Sequence, residues 1–546
     1  MDMIRKIQVS TGIFWIEIAA ANFRMLCGAP ADAVKHLMLR GLIIPDVVKG
    51  VPCETGPNAI LLSDVPVQNG SFCNLAEFPV LQMLYRQGMF LPGHPNNTGR
   101  NPMLIGHGNQ VKAQLEYIYR GNYGLVSKQE IEQTGVSPET SDLMMRIKLR
   151  FAFGNIQNSG DFIQGIPVGV DAVEITDGID ITRTGSNQYK ISYQGENAEV
   201  DLNLAAGETY QSPYPLNFHN IERGYFDIIH SGDGDGWDVK RPAMSSILIF
   251  QGAVYLIDAG PNIEATLRAL GIGINEVEGI FHSHSHDDHF AGITTLIRAG
   301  KRIKYYATPL VRSTVAKKVS ALLSVDEDLF GDFFDIHDLV QDQWNLVNGL
   351  DVRPLYSPHP VENNIFLFRA LGRKGDVSYA HYADIAAFSV LEGMVVKEGD
   401  KGGITVQELE LIKADYHIAA TVKKIDAGGG MIHGEPEDFR TDPSDMIILS
   451  HRAGDFSEAE REIGSGAPFG TTHQLVKSFQ IFHFRSAFLA LCRYFWTIKP
   501  DDLRPLANNE LITINPEEIV IKEGEAITNL YLIVTGTVET LNSRSG

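Results

Sequence analysis

Four histidines and two aspartates fall within eight positions, His282 to His289, in the run Phe281-His-Ser-His-Ser-His-Asp-Asp-His-Phe-Ala-Gly292. Imidazole nitrogen suits zinc-, manganese- and iron-class ions, and carboxylate oxygen adds the negative charge that balances a divalent cation. The useful register is His284-x-His286-x-Asp288-His289. His284 and His286 alternate on an extended stretch, so both can point the same way. Asp288 and His289 follow where the chain turns and can face a second ion beside the first. A short tract of mixed His and Asp is itself a metal signature.

Such a tract needs a rigid support on either side. Glu278-Gly-Ile-Phe281 is a short apolar approach, and Ala291 to Gly300 has helical apolar spacing. The spacing predicts a strand-to-helix turn that exposes its side chains at the carboxyl end of a strand, where α/β folds place their ligands.

The tract resembles the signature of the metallo-β-lactamase superfamily, His-x-His-x-Asp-His, and the resemblance covers about residues 223–455. It implies an α/β fold, a four-layer αββα sandwich. Ser245 to Phe250 and Val254-Tyr-Leu-Ile-Asp258-Ala-Gly260 resemble the family's opening strands, with Asp258 as the aspartate that supports a ligand from behind. Downstream the family has a further His, a bridging Asp and a last His, each at a strand end. His359, Asp384 and His451 fit those places. The implied layout is His284, His286 and His359 on one metal, Asp288, His289 and His451 on the other, and Asp384 between them. The arrangement is most similar to the tRNA 3′-processing ribonuclease and phosphodiesterase branch, which carries one more catalytic histidine; His433, after Gly428-Gly-Gly-Met-Ile, fits it. His451 is assigned to the metal because a strand end fixes a ligand better than a glycine-rich loop does. Exchange of His433 and His451 is the alternative.

The 546-residue chain as a whole is long enough for two to four domains. Residues 1–160 read as a mainly helical accessory region, with helices expected at Ala31–Arg40, Phe78–Arg86, Val111–Arg120 and, after a Ser137 cap and Pro138, up to Phe151. Residues 161–220 alternate apolar and polar between turns and read as a small antiparallel β element. The catalytic domain is expected over 221–460, opening with the strand Tyr225–His230. The loop Ser231 to Trp237 after it is either a mobile flap or a packed turn. Residues 461–483 read as a connecting helix. Residues 484–546 resemble the first half of a cyclic-nucleotide-binding domain, a partial β-roll with Gly524 and Gly536 at turns, without the cassette that holds a cyclic phosphate. His36, His94 and His107 lack partners at metal spacing; His282, His381 and His417 read as supporting groups.

Composition narrows the function. The chain is 44% hydrophobic and 21% charged, with a formal charge of −21. An acidic surface repels a polyanion, so long nucleic acid is disfavoured as substrate and a small phosphodiester or nucleotide is expected. Cys27, Cys53, Cys73 and Cys492 form no Cys-x-x-Cys pair. Neither a signal peptide nor an uncharged apolar run of about 18 residues is visible, so a cytoplasmic, non-membrane protein is expected. A homo-oligomer is also expected. The reading is a dinuclear metal-dependent hydrolase, phosphodiesterase-like, using two divalent ions (zinc, or else manganese or iron) to activate water. The resemblance implies Asp288 as the group that orients the nucleophile and His433 as the proton donor. The alternatives are a non-heme di-iron protein handling O₂ or redox chemistry on the same fold, and a cyclic-nucleotide-regulated sensor.

Overall fold

The computed structural model describes residues 3–540 apart from 222, 373–374, 398–399, 401, 477–480, 516–517 and 535. Two sheets face each other at its centre. The first runs in the order Phe334–Asp338, Ile303–Ala307, Val277–Phe281, Ala253–Ile257, Ser245–Phe250, Phe226–Gly232, Thr472–Val476. The second runs Asn345–Val347, Leu350–Tyr356, Asn364–Gly372, Gly375–Tyr382, Val422–Asp426, Ile447–Ser450. Strand alternation divides each side-chain set between two cores. From Ser245–Phe250, Leu248 and Phe250 point between the sheets while Ile247 and Ile249 point to the outer helices. In the second sheet Phe366 and Phe368 point inward, and Ile365 and Leu367 pack under outer helices. Phe281 seals the inter-sheet layer, 4.9 Å from the Tyr306 ring and 5.0 Å from Phe368. The layers are helix, sheet, sheet, helix: a metallo-β-lactamase fold.

The N-terminal region departs from the mainly helical expectation. Its longer helices lie at Ala33–Leu39, Gly108–Tyr123 and Pro138–Phe151, the last capped by Ser137, and the expected helix at Phe78–Arg86 is present as Glu77–Leu81 continued by the π-helical turn Gln82–Arg86. Between them, however, runs a six-stranded sheet in the order Arg5–Ser10, Ile13–Ile18, Phe23–Cys27, Ala59–Leu61, Met103–Gly106, Gln164–Pro167. Its later strands pair in parallel. Parallel strands buried on both faces read as short apolar runs with no alternation to betray them. One face packs on a four-stranded antiparallel sheet spanning Val173–Thr176 to Glu196–Asp201. The other face, through Trp15, Leu26, Ile60 and Leu104, joins the core under the first sheet of the sandwich.

Two further expectations are corrected beyond residue 460. Thr472–Val476, expected within a connecting helix, is an outer strand antiparallel to Phe226–Gly232, and the described helix spans Ile481–Tyr494. The expected partial β-roll does not form among the described residues, which carry no strand after Val476. Ile519, Leu530 and Ile533, in the stretches that resemble that module, stay exposed. A cyclic-nucleotide-binding module therefore has no support in this fold. Among the described residues no helix is long and apolar enough to cross a membrane.

Candidate metal centre

Four strands that end at one edge of the sandwich lead into a single polar cluster. Val277–Phe281 leads into the His284–His289 tract, which turns into the short helix Asp287–Phe290. Leu350–Tyr356 leads to His359, Gly375–Tyr382 to Asp384, and Ile447–Ser450 to His451. The turn is packed tightly: a Cβ at Gly260 would run into the carbonyl of Asp288. Ala259 N–H donates to His289 O at 2.9 Å, and Gly292 N–H donates to Ala259 O at 2.8 Å.

Asp384 is the shared member. Its Oδ2 lies 3.5 Å from His284 Nε2 and 3.6 Å from His359 Nε2. Its Oδ1 lies 3.0 Å from His289 Nε2 and 3.2 Å from His451 Nε2. His284, His286, His359 and Asp384 thus form one donor group, and Asp288, His289, Asp384 and His451 a second. A third grouping, Asp384, Asp426, His433 and His451, overlaps the second. The carboxylate of Asp426 is already committed, accepting the N–H groups of Gly428, Gly434 and Ile385.

The donor set fits divalent cations. Ring nitrogens face each other at 3.0 Å (His359 Nε2 and His286 Nδ1) and 3.3 Å (His289 Nε2 and His451 Nε2), a convergence of donor atoms suited to a shared ion. His284 Nε2 is buried with no hydrogen-bond partner closer than Asp384 Oδ2 at 3.5 Å. Burial pushes His284, His286 and His359 down, toward the neutral imidazole that ligates metal. Burial also disfavours charge on His289, but Asp384 and Asp288 outweigh it and hold the ring up at about 10. The second group therefore calls for positive charge.

Behind the donors stands a layer that fixes them. Asp258, at φ +62° and buried, accepts from His289 Nδ1 at 3.0 Å and from Ser283 N–H and Oγ at 2.7 Å. Ser283 Oγ in turn lies 3.0 Å from His284 Nδ1. Asp426 does the same on the other sheet, with Oδ1 3.4 Å from His451 Nδ1 and Oδ2 3.2 Å from His433 Nδ1. His433 is held up by Asp426 and Asp384 against the opposing effect of burial. Sequence reasoning missed Asp426 and Ser283. Asp426 had a signal: Ile425-Asp-Ala-Gly428 repeats Ile257-Asp-Ala-Gly260 letter for letter, at the matching strand end.

Outside the donor groups, His282 Nδ1 meets Tyr305 Oη at 2.9 Å, His381 Nδ1 meets Tyr379 Oη at 3.0 Å, and His417 Nε2 meets the Asp438 carbonyl. The loop after Phe226–Gly232 is packed rather than free. Trp237 sits 4.8 Å from Phe78 with the Arg86 guanidinium 4.5 Å over its ring. Arg241 bonds Asp233 and Asp238 and donates to the carbonyls of Arg452 and Gly454, clamping the turn that carries His451 at φ +61°.

The family described as Anti-Pycsar protein Apyc1 matches residues 226–385, less than a third of the chain. Ribonuclease Z of Clostridium perfringens is 32% identical over 72 residues, 13% of this chain and 23% of that protein. The Clostridium novyi ribonuclease Z is 28% identical over 72 residues, with the same coverage. The chain thus spans less than a quarter of the length of the curated relatives it matches. Among solved structures, the metallo-β-lactamase fold protein YhfI of Bacillus subtilis aligns with a TM-score of 0.34 and 13% identity, over 46% of this chain and 99% of that one.

Proposed function

We propose that this chain is a dinuclear metal-dependent hydrolase acting on phosphodiesters. The observation that carries the reading is Asp384, whose two oxygens face two separate histidine groups within 3.6 Å. His284, His286 and His359 would hold one cation, Asp288, His289 and His451 the other, with Asp384 shared. Bound there, two divalent cations would acidify water and polarise a phosphoryl oxygen.

The chain's own groups supply the rest. Asp258 keeps the His289 Nδ1 proton in place, so that Nε2 faces the cluster. Asp288, beside His451 Nε2 at 3.1 Å, orients the attacking water and accepts its proton. His433, with Nδ1 on Asp426 and its charge favoured, donates from its other nitrogen to the leaving alkoxide. The similarity to ribonucleases Z supports a phosphodiester, and the −21 charge favours a small nucleotide over a long polyanion.

The test is hydrolysis of bis(4-nitrophenyl) phosphate by metal-stripped protein, with zinc, manganese or iron added back singly. Turnover with at least one ion, reduced about 100-fold or more in Asp288→Ala, is the expected result. Failure with every ion would reject the reading.

A further inference from the structure

Two fully buried ion clusters lie behind the donor groups, and each is built across the boundary between the N-terminal region and the catalytic sandwich. In the first, Lys318 from the helix Pro309–Leu323 places Nζ 2.6 Å from Glu77 Oε2, 2.7 Å from Asp287 Oδ1 and 2.6 Å from the Ser285 carbonyl. Glu77 Oε1 accepts the backbone N–H of Asp287 at 3.0 Å, and Tyr117 Oη donates to Asp287 Oδ1 at 2.5 Å. Ser285 and Asp287 are the two residues between the candidate ligands His284, His286 and Asp288.

In the second, Lys148 Nζ lies 2.7 Å from Glu362 Oε1 and donates to the carbonyls of Pro360 and Tyr123. Glu362 Oε2 accepts from Leu125 N–H at 3.1 Å and from Thr314 Oγ1. Pro360 is the residue after His359. Both carboxylates rest on one helix end: a Cβ at Gly121 would run into Glu77, and one at Gly124 into Glu362. Gly124 also has φ +59°. Glu77, Tyr117 and Lys148 belong to the N-terminal region, so neither ligand-bearing loop is fixed by the sandwich alone.

We propose that Glu77, with Tyr117 and Lys318, is a positioning group for the metal centre. It holds the His284–His289 turn in ligating geometry, so that the N-terminal region sets the affinity of the site for its cations. The proposal rests on the metal-centre reading above. A buried carboxylate and ammonium bonded to both backbone and side chain of a turn leave it a single arrangement, because any other strands a charge without a partner. Supports of this kind change metal affinity by about 10–100-fold when removed. They act through the ligands and touch no substrate.

The test is chelator competition with zinc on the full-length chain, together with the melting temperature of the metal-stripped protein. Tyr117→Phe removes one hydroxyl and keeps the packing; Glu77→Ala removes the brace. A loss of zinc affinity of about 10-fold or more in Glu77→Ala, a smaller loss in Tyr117→Phe and recovery in Glu77→Gln, which keeps the acceptor for Asp287 N–H, are expected. Unchanged zinc affinity in Tyr117→Phe and Glu77→Ala, whatever their melting temperatures, would overturn the proposal. If Glu77→Ala fails to fold, Tyr117→Phe decides alone. If the unsubstituted chain takes up no divalent ion, the metal-centre reading falls and this proposal with it.

Discussion

His433 Nδ1 lies 3.2 Å from Asp426 Oδ2, and the same carboxylate reaches His451 Nδ1 through its other oxygen at 3.4 Å. One strand-end aspartate therefore serves a candidate ligand and the candidate proton donor together. A general acid contributes about 10²–10⁴-fold to a rate. His433→Gln should lower kcat by that order while the metal content stays at the wild-type level. The loss should shrink for diesters whose leaving group needs no proton, such as 4-nitrophenolate, and grow for alkyl leaving groups. A uniform loss across leaving groups would remove His433 from proton transfer.

Lys424 gives the clearest pH dependence. It reaches from the second sheet to bond the carbonyls of Gly232 and Ser245 in the first, at 2.6 and 2.8 Å, where that strand pair slips register. Burial lowers its ammonium to about 7, against the opposing pull of Asp233 and Asp258. Between pH 7 and the ordinary lysine value the unfolded chain then binds more protons than the folded one, so stability rises with pH across that window. Denaturant titrations should show the unfolding free energy of the wild type climbing relative to Lys424→Met, with a slope approaching about 1.4 kcal/mol per pH unit. Parallel profiles for the two proteins would contradict the assignment.

Trp237 separates a flap from a packed turn. Its ring is held between Phe78 and Arg86, both from the N-terminal region, and it packs against the large outer core. Trp237→Ala should cost about 1–3 kcal/mol of stability. A KM increase with an unchanged melting temperature would instead mark a mobile cover over substrate.

The parts legible in the sequence rest on local pattern or, for His359, Asp384 and His451, on the family resemblance. The His284–His289 tract lies on its strand-to-helix turn, and His359, Asp384 and His451 follow apolar strands that bring them into the same cluster. The helix Pro138–Phe151 announced itself by its Ser-Pro start. The N-terminal sheet did not, because Phe23–Cys27, Ala59–Leu61 and Met103–Gly106 are short, parallel and buried on both faces. Glu77 was illegible for a different reason. Its value comes from Lys318 and Asp287, more than two hundred residues away, and no window of sequence contains that relation. At the other end, the resemblance to a β-roll did not carry through, since Ile519, Leu530 and Ile533 stay exposed and the described residues there form no strand.

The proposed pair of cation sites is joined through Asp384, and metal stoichiometry tests it most directly. Dialysed wild-type protein loaded with zinc should hold two ions per chain by elemental analysis. His359→Ala should lose tight binding of one ion, and Asp384→Ala should weaken both. Retention of one ion at undiminished affinity in Asp384→Ala, or a wild-type chain that holds a single ion, would contradict the shared centre.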